Sequence, residues 1–85
     1  MVFLAITPTG LKEALRMALT CGSSVWCGAD AVSEPEYEAL AGADLSRFTY
    51  SLAGEPAAVL AGAVATIEEH HPHETVWVER GAGEP

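Results

Sequence analysis

Basic residues are scarce in this chain: four Lys and Arg stand against twelve Asp and Glu, for a formal charge of −8. A surface of that sign repels phosphate backbones and anionic lipid headgroups, so neither nucleic acid nor a membrane is an expected partner. Mimicry of nucleic acid is set aside as well, because the acids scatter among apolar positions instead of forming a carboxylate tract. Long apolar runs are missing: none approaches the ~20 residues that cross a bilayer. The opening "MVFLAITPTG" has no basic leader and no small-residue cleavage pattern, and reads as a strand. A soluble, cytoplasmic protein is expected. Cysteine is limited to Cys21 and Cys27, separated by what reads as a helix end and a strand. Six residues of nearly extended chain span about 18 Å, beyond disulfide reach, so two reduced and largely buried thiols are expected.

What is present is enough for a core. Hydrophobic residues make up 49 % of the 85, which suits one globular domain over 1–80 with a flexible tail at 81–85. A domain of this size buries only about 60 % of its unfolded surface, so a partner subunit would help it.

The chain then alternates between two periods. "VFLAI" (2–6) is apolar throughout, as a central strand buried on both faces would be. Leu11, Ala14, Leu15, Ala18 and Leu19 recur at helical spacing, with Gly22 as the stop. "SVWC" (24–27) reads as the next strand. Ser33 and Glu36 form a capping-box pattern that opens a short helix burying Tyr37, Leu40 and Ala41 and ended by Gly42 and Asp44. "RFTYSL" (47–52) alternates, with Phe48, Tyr50 and Leu52 on one side and Arg47, Thr49 and Ser51 on the other. Pro56 precedes a third helix carrying Val59, Leu60, Ala63, Val64 and Ile67, which Pro72 must end. "TVWVE" (75–79) is the last strand.

The order βαβαβαβ predicts an α/β domain of three-layer-like form, with a four-stranded parallel sheet joined by right-handed crossovers. A strand order of 2-1-3-4 keeps strand 1 inside, puts helix 1 alone on one face, and leaves Arg47, Thr49 and Trp77 together on a half-covered face. That face is a candidate surface for self-association or a protein partner. In the alternative placement Trp77 packs under helix 3, with Val76 and Val78 outward.

Ligands in such sheets bind beyond the carboxyl ends of the strands. Those ends carry Thr7, Thr9 and Gly10, then Asp30, then Ser51, a candidate site for a small anion. "TPTG" (7–10) offers hydroxyls and backbone N–H groups at a helix start, or else Thr7 simply caps the helix with Pro8 in its first position. Asp30 lacks the Gly-rich turn of a dinucleotide site, Ser51 lacks a nucleophile elbow, and Cys27 has acidic surroundings that favour an inert thiol. "EEHHPHE" (68–74) holds three histidines and three glutamates. His70, His71 and His73 could ligate zinc or nickel, or sense pH, but Pro72 bends the chain between them, and cationic histidine also suits a helix C-terminus.

The "TPTG" loop resembles the phosphate loop of flavodoxins, roughly T-x-T-G-x-T, matching at Thr7, Thr9 and Gly10 and departing at Lys12. The resemblance implies a flavodoxin-like or Rossmann-like half rather than a bound flavin, and no cofactor is expected. Taken together, "GLKEAL", "VWCG", "EEHHP" and "WVE" are similar to short, uncharacterised α/β proteins of cyanobacteria, a resemblance that implies no activity and no catalytic residues. The functional expectation is therefore a non-enzymatic interaction or homo-oligomerisation module, with small-ligand binding at the first loop as the alternative.

Overall fold

An apolar run with no polar face has to be covered on both sides, and the chain meets that demand by placing its first strand inside a sheet. A computed structural model describes residues 1–40 and 44–79. The elements are β1 (Val2–Ala5), α1 (Pro8–Cys21), β2 (Ser24–Cys27), α2 (Glu34–Ala39), β3 (Leu45–Arg47), α3 (Ala57–His70) and β4 (Val76–Val78). All three strand pairings are parallel, so the α/β architecture and the parallel sheet follow the sequence reading. The expected tail at 81–85, Ala41, expected to be buried by the second helix, and Gly42, expected to end it, lie outside the described residues.

The strand order is β3-β2-β1-β4, which corrects the expected 2-1-3-4. The lengths of the crossovers explain the difference. Residues 28–44 contain a helix of six residues, enough to step one place to the side of β2. The expected order would have required that short connection to pass over β1. Residues 48–75 contain the fourteen-residue α3, long enough to recross β2 and β1 and deliver β4 to the far edge.

Two separate cores follow. On one face Ala5, Val25, Cys27 and Leu45 pack with Leu11 and Ala14 of α1 and with Tyr37 of α2. On the other, Val2, Leu4, Ile6 and Phe48 pack with Ala63 and Ile67 of α3, beside Trp26 and Val76. Helix α3, not α1, is thus the lone helix on its face.

Local signals set the helix ends as the sequence implies. Thr7 caps α1 with Pro8 behind it, Gly22 closes it at φ 67°, and Ser33 and Glu36 complete the capping box of α2. Glu36 is held below the usual carboxylate range by its hydrogen bonds from Ser33. One end of the apolar stripe fails: Leu19 is 89 % exposed, and Cys21 is exposed rather than buried. A helix of fourteen residues runs about 21 Å, whereas a four-residue strand covers about 13 Å, so the last turn of α1 overhangs the sheet.

Because α3 alone roofs one core, Ile67→Ala should cost about 2–5 kcal/mol in chemical denaturation, while Glu68→Ala on the exposed side should move stability by less than about 0.5 kcal/mol. Equal midpoints for the two variants would refute this packing.

Candidate functional site

The β1–α1 turn lies where the strand order reverses, between the carboxyl ends of β1 and β4, the place where this architecture offers backbone N–H groups to an anion. Here the chain supplies the anion itself. Glu79 follows β4, and its Oε1 accepts hydrogen bonds from the backbone N–H groups of Ile6 at 2.6 Å and Thr7 at 2.8 Å. The Thr7 hydroxyl donates to Glu79 Oε2 at 2.5 Å while accepting from the Gly10 N–H at 3.0 Å. A Cβ at position 10 would overlap the Glu79 carboxylate, so any other residue there displaces that side chain from the turn. Sequence reasoning placed Thr7, Thr9 and Gly10 at this turn and read Glu79 merely as a strand end; the missed signal was an acid directly after the strand that pairs with β1.

The other candidate ligand residues do not converge on this turn. Both oxygens of Asp30 accept backbone N–H groups, from Leu52 at 3.1 Å and Ala53 at 3.2 Å, so this carboxylate ties the loop after β3 to the loop after β2. Thr9 and Ser51 are exposed. A groove of about 580 Å³ between α1 and α2 takes Asp30 into its wall with Pro8, Lys12 and Leu40, and Thr7, Thr9, Gly10 and Ser51 lie outside it.

The candidate interaction patch also separates. β3 and β4 form opposite edges of the sheet, so Arg47 and Thr49 cannot share a surface with Trp77. Arg47 instead donates from Nε to the Val32 carbonyl at 2.9 Å and from Nη2 to the Ala29 carbonyl at 3.0 Å, holding the β2–α2 loop with a side chain only 15 % exposed. Neighbouring Cys27 is fully buried, and burial pushes its thiol up to about 11, as expected of an inert group.

The histidines divide their roles. His70 lies against the Trp26 ring at 5.4 Å between centroids. His71 caps the end of α3, and its Nε2 accepts from Trp26 Nε1 at 3.3 Å, so its ring proton sits on Nδ1, 3.1 Å from Glu74 Oε2. Glu74 also pairs with the Met1 ammonium, and the hydrogen bonds from that group and from His71 hold its carboxyl below the usual range. His73 adopts φ 70° in the following turn. Among the described residues no group of three or more His, Cys, Asp or Glu is placed to hold a metal ion.

Trp77 lies in register with Phe3, which puts it on the α1 face at the outer edge. It does not pack under α3; Val76 takes that position. Trp77 is 56 % exposed and, with Phe3, Ala14, Met17 and Val78, lines a largely apolar groove of about 610 Å³ between α1 and β4. No helix among the described residues is long and apolar enough to cross a membrane. No protein-family model, no curated protein and no solved structure matches the chain.

Two tests follow from this geometry. Gly10→Ala should cost about 1–3 kcal/mol by expelling Glu79, and should cost nothing once Glu79→Ala has removed the obstructing carboxylate. Additive losses would contradict the close approach. His71→Ala removes the acceptor of the Trp26 indole N–H, so that proton should exchange faster in NMR spectra of the variant. Unchanged exchange would refute that hydrogen bond.

Proposed function

We propose that this protein is a non-enzymatic interaction module whose docking surface is the flank formed by α1 and β4 around Trp77. The observation that carries the reading is the Trp77 ring itself, more than half exposed and set in an apolar groove with Met17, also 41 % exposed. A single exposed apolar side chain needs no explanation, but a tryptophan beside exposed Met17 at a sheet edge has the composition of an interface centre. The polar groups that a small-ligand site would use are already engaged: Thr7, Glu79 and Asp30 hold the loops around the strand ends. A small anion at Thr7 and Gly10 would first have to displace Glu79.

Sedimentation over a wide concentration range, with any co-purifying protein identified, tests this reading. Association is expected, and Trp77→Ser should weaken it about 30-fold or more, as for an interface hot spot. Association unaffected by Trp77→Ser, or a parent chain that stays monomeric and retains no protein, would remove the basis for it.

A further inference from the structure

Val2 and Leu4 direct their backbone groups at β4: Val2 N–H donates to the Thr75 carbonyl at 2.9 Å, and the Leu4 carbonyl accepts from Glu79 N–H at 2.9 Å. In a parallel ladder that pattern engages both backbone groups of Trp77 with β1 and turns those of Val76 and Val78 outward. Among the described residues β4 is the last strand on this side. Exposed edges are commonly guarded by a charged side chain at the strand. Here the nearest acid after the strand, Glu79, is folded back into the β1–α1 turn by three hydrogen bonds, which leaves Val-Trp-Val at the edge.

Resting on the interaction-module reading above, we infer that the docking partner is a second copy of this chain, added edge to edge so that the two β4 strands pair antiparallel about a two-fold axis at Trp77. The strand Val76-Trp77-Val78 is self-complementary about its centre. In this register Val76 of one copy faces Val78 of the other in both halves, and these are the residues whose N–H and C=O groups point outward, so each pair exchanges two hydrogen bonds. Trp77 faces its own counterpart at the closely spaced, non-hydrogen-bonded position, where cross-strand aromatic pairs interact best.

Neighbouring registers are worse. Centring on Val76 sets Val78 against Glu74 and Trp77 against Thr75; centring on Val78 sets Trp77 against Glu79. The Trp77-centred register alone of the three opposes apolar with apolar at every strand position. The product is one eight-stranded sheet with a closed, isologous interface.

Amide hydrogen exchange and sedimentation test this together. The Val76 and Val78 amides should gain protection as concentration rises, while Trp77 stays protected at every concentration by its pairing with β1. Val78→Pro, which removes an outward N–H and leaves the β1 ladder intact, should raise the dimer dissociation constant about tenfold or more. Trp77→Ser should weaken the dimer as well. If Val78→Pro still dimerises while Trp77→Ser does not, strand pairing is wrong and docking through Trp77 stands; if neither variant weakens the dimer, both readings fall. Rapid exchange at Val76 and Val78 at all concentrations would overturn the pairing whatever the variants do.

Discussion

The Glu79 carboxylate is the contact on which the useful features of this domain depend. β4 has three ladder residues, too few to be held firmly by backbone pairing alone. Glu79 adds two backbone hydrogen bonds and one hydroxyl hydrogen bond at the far end of the strand, all to the turn that starts α1. One side chain thus fastens β4 to β1, satisfies the Ile6 and Thr7 N–H groups of the turn that leads into α1, and withdraws a charge from the sheet edge. Gly10 is part of the same device, since any side chain there would occupy the carboxylate's position.

The division of labour between the two faces follows from chain lengths. A short α2 keeps β3 next to β2, and only the longer α3 connection can return across the sheet. β2 therefore becomes central, and Trp26 is enclosed by Phe48 at 5.3 Å, His70 and His71. The histidine-rich segment thus ends α3 against an aromatic ring rather than gathering around an ion, with Pro72 and the left-handed His73 turning the chain toward β4.

The elements were legible in the residues, and their arrangement less so. The apolar run of β1, the Ser33 capping box, Gly22 and the Val59-to-Ile67 stripe each announce a local conformation because each has a local cause. Strand order has no such local cause; it depends on how far a connection can reach, and reading residues 47–52 as one long alternating strand concealed that β3 ends at Arg47. The candidate site was half legible for the same reason. Thr7 and Gly10 declare a turn with exposed donors, but their acceptor comes from a residue 72 positions away from Thr7. Arg47 and Asp30 looked like surface groups and are loop ties, because partners formed by backbone carbonyls and amides leave no mark in a sequence.

A domain of this size has little core to spare, and its geometry points to where more burial is available. The face roofed by α1 and α2 leaves β4 outside their cover, so Trp77 and Met17 keep apolar area in water that neither helix can remove. Extending α1 would not help, since its last turn already overhangs the strands. Widening α2 would shift β3, not β4. The remaining way to cover Trp77 is from beyond the edge, and a sheet edge accepts one kind of neighbour most readily, another strand that satisfies the outward N–H and C=O groups while bringing its own side chains alongside. Opposing this is the charge of −8 on each copy, which disfavours close approach and makes any such contact weak at low ionic strength. Were the proposed edge pairing to form, the balance between a small apolar edge and a large repulsive charge would make it reversible and responsive to concentration and salt.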